Sequence, residues 1–340
     1  MDAAVSHRPE TFGRSSSGSE AFAAIFLGAM DAARSNVEPA KSGDLEGIHE
    51  LRVALRRLRA ALRLFSSLLP SHPRGDLDRQ LQQLGRCVGT ARDWDVFATE
   101  TLERARQSLG PQHHGTLHRY CAARRVSAHR DVHERLTRGD TAALFDRLAA
   151  FPAMADIATP RSDHQSLRRP IATLAPGLIQ RLYRKTRRRG RHLRRADNDR
   201  LHALRKSIKT LRYGIEFLAP LYDQKATSRF LKLARKAQTE LGRVNDAHGI
   251  PALTQSLTDD RETTHPLLQW ARRDHRKARR KAIRAWRRLR RLDAFWRDSQ
   301  SFTVGLEKPV QVQQEQVSEV ENAINGNCSA ARSRDAGDPS

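Results

Sequence analysis

The sequence predicts an all-α fold that is internally duplicated. Three observations predict it. Apolar residues recur at i,i+3 and i,i+4 over long segments, and no convincing run of period-2 alternation interrupts them. A whole helical segment also occurs twice. His49-Glu50-Leu51-Arg52-Val53-Ala54-Leu55-Arg56-Arg57-Leu58-Arg59 returns as His202-Ala203-Leu204-Arg205-Lys206-Ser207-Ile208-Lys209-Thr210-Leu211-Arg212, at an offset of 153 residues.

Taken in order, residues 1–19 are rich in Ser, Gly and charge and read as a disordered leader. They contain no apolar stretch of the kind a secretory signal needs. Ala21 to Met30 is apolar but short, and reads as a core helix. Next comes the first copy of the repeated helix. Leu51, Leu55, Leu58, Leu62 and Phe65 are spaced 4, 3, 4 and 3, the stripe of an amphipathic helix packed on neighbours. His49, Arg52, Arg56 and Arg59 form a second stripe, spaced 3, 4 and 3, on the flank of the first. The second copy keeps both: Leu204, Ile208, Leu211, Ile215 and Leu218 beside His202, Arg205, Lys209 and Arg212. At about 1.5 Å of rise per residue, each cationic row is about 15 Å long. Like charges at these spacings repel, so a row costs helix stability unless an anion or carboxylates neutralise it. A single Arg here reads as a solvated surface charge. A row repeated in register with a core face reads as an anion site.

Breaks at Pro70-Ser71-His72-Pro73 and at Ala219-Pro220 close the two copies. The register continues beyond them, since Arg92-Asp93 and Asn245-Asp246 are also 153 apart. Upstream, Phe22, Ile25, Phe26 and Met30 map onto Ala175, Leu178, Ile179 and Tyr183. Further on the offset drifts to 150, pairing Tyr120, Leu136 and Phe145 with Trp270, Trp286 and Phe295. Each half therefore reads as about four helices, the first over 20–150 and the second over 171–299. Phe151 to Pro170, with three prolines, reads as the linker. Residues 300–340 lose their basic density and read as a flexible polar tail, with a short helix around Val312–Ala323.

The chain has 340 residues, 62 of them Lys or Arg against 38 acidic, and a formal net charge of +24. Such a charge favours polyanionic partners. No stretch approaches the length of apolar sequence that spans a membrane, so no membrane insertion is expected. Cys87, Cys121 and Cys328 have no CxxC spacing, so neither a disulfide framework nor a zinc site is read from them; Cys87 and Cys121 read as small buried residues, and a reducing cytoplasm is the simplest compartment. Two further segments are strongly basic: Arg181 to Arg212 carries 14 basic residues and Arg272 to Arg291 carries 12. From these, Lys185, Arg189, Arg272, Arg276 and Arg280 are added to the candidate site, with Arg92. Asp93, Asp95 and Asp246 are expected near turns, as caps or as partners of Arg side chains.

Motifs for catalysis are missing. No phosphate-binding loop, dinucleotide fingerprint or nucleophile elbow occurs, and no carboxylate cluster that would hold a catalytic metal is evident. His114 and His118 are four apart, as are His129 and His133, but no third ligand accompanies either pair in sequence. No catalytic residue, cofactor or metal is assigned.

The double His-x-x-Arg-x-x-x-Arg/Lys-x-x-Arg helix, each copy followed by an Asp-bearing segment, resembles the CHAD family, the conserved histidine α-helical domain, over roughly residues 15–300. The resemblance implies two four-helix bundles related by a pseudo-twofold axis, with a basic central channel. It also implies binding of inorganic polyphosphate, often in polyphosphate granules. By motif position the channel would be lined by His49, Arg52, Arg56, Arg59 and Arg63 from one half. His202, Arg205, Lys206, Lys209 and Arg212 would line it from the other. Two positions depart from symmetry. Glu216 stands opposite Arg63, and Asn245 opposite Arg92, so the second half would draw on Arg243 or Lys206 there. The Glu-x-Glu-x-Lys signature of the triphosphate-processing CYTH domain, a fusion partner of some CHAD proteins, does not occur. Nucleic acid is the alternative partner that charge alone permits. It is the weaker reading, because aromatic residues are 6% of the chain and Trp270, Trp286 and Trp296 fall at helix-core spacing. If His49 and His202 titrate near their ordinary value, binding should tighten as pH falls through about 6.5.

Overall fold

The computed structural model describes residues 12–157 and 167–297. The polar tail, with its expected short helix, lies outside the described residues, as do residues 1–11 and 158–166. Ten α-helices occur among the described residues, and no named strand does. They are α1 (Gly18–Ser35), α2 (Val37–Lys41), α3 (Leu45–Leu64), α4 (Ser71–Val96), α5 (Leu102–Thr137), α6 (Gly139–Ile157), α7 (Ile171–Arg189), α8 (Asn198–Leu218), α9 (Gln224–Leu257) and α10 (Arg261–Leu289).

Short polar side chains start many of these helices by accepting the first free amides. Ser17 and Glu20 form a reciprocal capping box on α1. Asp44 accepts from Gly47 N at 2.7 Å, Asp197 from Arg200 N at 2.8 Å and Asp223 from Ala226 N at 2.8 Å. The capping box corrects the expected leader, because residues 12–19 are placed. Gly18 N donates to Arg169 O at 2.8 Å and Ile171 N to Ser16 O at 2.7 Å, which ties the start of α1 to the start of α7. The expected linker also begins too early. α6 continues to Ile157 through Pro152, because Phe151 is fully buried against Phe22 and Phe26 and holds that turn in the core.

Both apolar stripes of the repeated helix are buried, from Leu51 to Phe65 and from Leu204 to Leu218. Around the first, Phe22 lies 5.2 Å from Phe26 and 5.3 Å from Phe65, ring centre to ring centre. A second aromatic cluster joins Phe230, Phe295 and Trp296 beneath α9. α3 packs on α1 and α4, α8 packs on α7 and α9, and α3 and α8 meet each other. At that meeting the Arg57 guanidinium lies 5.0 Å above the Phe217 ring, and Gly214 faces Leu64 and Leu182.

α4 runs through a π-helical turn, Phe97–Thr101, into α5. The helix folds back at Gly110, whose φ of 71° and ψ of 166° lie outside the helical region, with Pro111 next. The returning arm then pairs antiparallel with α4. Arg125 Nε reaches Asp95 Oδ1 at 3.0 Å and Cys87 Sγ reaches Asp131 O at 3.5 Å. Cys121 is buried in this hairpin, whereas Cys87 is only half-buried.

Candidate functional site

α3 and α8 bring their cationic rows face to face. The charges of Arg52, Arg205 and Arg212 all act on Arg56, and those of Arg56, Arg205, Arg52 and Arg212 all act on Lys209. The reason is geometric. Each row flanks an apolar stripe buried in the core, and the contact between α3 and α8 sets the two flanks side by side.

Some of these cations have anionic partners. Arg52 Nη1 lies 2.8 Å from Asp93 Oδ1, Arg59 Nε lies 2.8 Å from Asp78 Oδ1, and Arg212 Nη1 lies 2.6 Å from Glu216 Oε1. Others have none. Among the described residues no carboxylate comes within ion-pairing distance of Arg56, Arg205 or Lys209, and none of the three makes a side-chain hydrogen bond. The Nε atoms of Arg56 and Arg205 and the Nδ1 of His202 are buried without a hydrogen-bond partner. Burial, ahead of any neighbouring charge, lowers the pKa of Arg56 and Arg205. It brings Lys209 down to about 6, with Arg56, Arg205, Arg52 and Arg212 adding to the effect. The three are half-buried, and cations held so close without an ion pair are costly, so like charge accumulates at this centre. Asp246 faces Arg205 from α9; it keeps solvent contact, yet crowding by protein raises its pKa, as in a cleft that water enters. A cavity of about 200 Å³ opens beside the second row, lined by His202 with Asn198, Asn245 and His248.

The histidines do not sit as expected. His49 is half-buried beside Arg92, Arg56 and Arg52; burial first, then those charges, lowers its pKa to about 4. His202 is lowered too, by burial and then by Lys206. His49 is therefore neutral at pH 6.5, and His202 is shifted in the same direction. The aspartates are a second correction. Asp93 and Asp95 lie inside the last turns of α4, just ahead of the π-helical turn, and Asp246 lies inside α9, so none of the three caps a helix start. Their role as Arg partners stands for Asp93, which pairs with Arg52, and for Asp95, which is fully buried and holds Arg125 and His129 at 3.0 Å each.

The remaining candidates lie further out. Arg63 is exposed and 3.7 Å from Asp78, with Arg189 near it; Lys185 is exposed beside Arg189 and Arg63. Arg92 adjoins His49 and lies 3.9 Å from Glu100. Lys206 is exposed on α8. Arg243, the suggested substitute at the Asn245 position, is exposed and 4.0 Å from Glu240. Arg272, Arg276 and Arg280 occupy the exposed face of α10, which packs on α9 and α5, so the structure does not bring them to the central rows. Sequence reasoning missed Tyr213, whose ring lies 4.3 Å from the Arg212 guanidinium and beside Arg56. Its place next to a row residue was the only signal.

An all-helical protein with a cation-lined centre is the class that this geometry defines. The family model for the CHAD domain matches residues 24–255, and the chain belongs to that family. Among solved structures, the CHAD domain from the plant Ricinus communis is 24% identical, with a TM-score of 0.62 over 87% of this chain and 97% of that one. PptA from Streptomyces chartreusis is 16% identical, with a TM-score of 0.57 over 80% of this chain and all of that one. At such identities the likeness concerns the fold alone. No curated protein matches the sequence. None of the described helices is long and apolar enough to cross a membrane.

Proposed function

We propose that this chain binds inorganic polyphosphate without catalysis, through the facing rows of α3 and α8. The observation that carries the reading is the set of Arg56, Arg205 and Lys209, brought together at the centre with no carboxylate among the described residues at ion-pairing distance from any of them. Polyphosphate is a flexible polyanion with no base edges to read, so its binder needs a track of cations and no hydrogen-bond code. Arg grips phosphate oxygens in pairs and Lys acts as a point charge. His49 and His202, held neutral, would each donate a hydrogen bond. Release of counterions would supply much of the affinity, by analogy with DNA.

In this reading the helices before and after the 158–166 segment are duplicated halves, related by a pseudo-twofold axis between α3 and α8. Family membership supports the ligand and a place on polyphosphate granules in the cytoplasm.

Calorimetric titration with long-chain polyphosphate at about 0.15 M salt tests it. The variants are His49→Ala/Arg52→Ala/Arg56→Ala and His202→Ala/Arg205→Ala/Lys209→Ala. Each should lose at least about tenfold in affinity, or 1.4 kcal/mol. Unchanged binding in both would assign the affinity to surface charge. Long-chain polyphosphate should also displace DNA far better than DNA displaces it; the reverse would favour nucleic acid as the partner.

A further inference from the structure

The hairpin of α4 and α5 carries a cluster remote in character from the cationic rows. Glu103 lies before the Gly110 bend, and His114 and His118 lie after it. On a straight helix, Glu103 and His114 would stand about 16 Å apart along the axis. The reversal at Gly110 brings His114 Nε2 to 3.1 Å from Glu103 Oε1. His118, one turn along the return arm, presents its ring 5.3 Å from that of His114. One ligand atom from each of the three residues falls within 4.8 Å of the others.

We propose that Glu103, His114 and His118 bind a divalent transition-metal ion of the zinc type at the tip of this hairpin. Two imidazoles and one carboxylate suit zinc, and two histidines four apart on one helix face are a recurrent half of such sites. A second observation points the same way. His114 Nε2 is buried, and although the Glu103 oxygen is near, the pair lacks the alignment of a hydrogen bond. A buried nitrogen is left with its polar demand unmet. Ligand atoms around a tetrahedral zinc ion stand about 3.4 Å apart, given bonds of about 2.0–2.1 Å. The Glu103 side chain is about half exposed, and a small rotation of it would set that spacing. Its other charged neighbour, Arg106 at 3.7 Å, is 70% exposed, and a pair so open to water competes weakly. Three ligands leave a coordination position for water or another oxygen donor.

The other histidine pair has no such opening. His129 is taken by Asp95 at 3.0 Å, and His133 Nδ1 meets Lys41 O at 3.1 Å. The sequence lacked a third ligand for His114 and His118 because that ligand lies on the opposite arm of a bend.

The test uses the full chain without a polyhistidine tag, stripped with EDTA and titrated with zinc chloride by calorimetry at pH 7.5. The expected result is one ion per chain, a rise in melting temperature, and loss of both in His114→Ala/His118→Ala. His118→Gln alone should weaken uptake at least about tenfold while melting like the unaltered protein in EDTA, which separates lost ligation from lost folding. Absence of uptake, or uptake unchanged in the double variant, overturns the proposal.

Discussion

Lys209 is the residue whose state depends most on its surroundings. Its pKa of about 6 in the unliganded protein means that it is largely neutral at pH 7.5. A bound polyanion favours the charged form and raises that value. The contribution of Lys209 to affinity is then fully present below pH 6 and is lost as pH rises toward the pKa of the complex. Titrations in buffers of different ionisation enthalpy should therefore show proton uptake on binding at pH 7.5. Lys209→Arg, charged throughout, should abolish most of it; equal uptake in both proteins would contradict the assignment. The expected histidine effect moves down in the same way, because His49 begins from about 4. The identities of the row residues were legible in the sequence, since each repeats in register with a core position. Their protonation was not, because it depends on how closely the two rows approach.

At the scale of the element, the amphipathic stripes correctly predicted α1, α3, α7 and α8. What failed was the reading of turns. Asp93 and Asp246 look like punctuation in the sequence, but the apolar periods of α4 and α9 run through them, and Leu81, Leu84 and Val88 or Ala234, Leu241 and Val244 keep those helices intact. The Gly110 bend was invisible for the opposite reason, since a single Gly-Pro step reverses an otherwise helical pattern. The end of α7 gives a sharp test of packing. A Cβ on Gly190 would run into the Trp286 ring, and Trp286 Nε1 donates to Gly190 O at 2.9 Å. Gly190→Ala should cost about 1–3 kcal/mol through overpacking. Urea denaturation measures it, and a variant as stable as the parent would show that Trp286 has room to move.

For the whole molecule, charge is divided between a centre and a rim. Arg272, Arg276 and Arg280 on exposed α10 add to the field that draws polyanions in, without belonging to the central rows. Replacing all three with Gln should slow association and flatten its salt dependence, with dissociation nearly unchanged. Stopped-flow measurement separates the two rates; a change mainly in dissociation would place these residues in direct contact with the ligand. The sequence could not make this division, because central and rim arginines share the same composition and spacing. Only the burial of α3 and α8 distinguishes them.

The crowded centre also sets like charge against like charge inside the fold. Arg56, Arg205 and Lys209 repel one another wherever no anion intervenes. Dissolved salt should then act in two opposed senses. It loosens the complex by competing for the cations, and it steadies the fold by screening them. Melting temperature of the ligand-free protein should climb with added sulfate over the same range in which polyphosphate affinity declines, and this crossing of trends should vanish when Arg56 and Arg205 are both replaced by Gln.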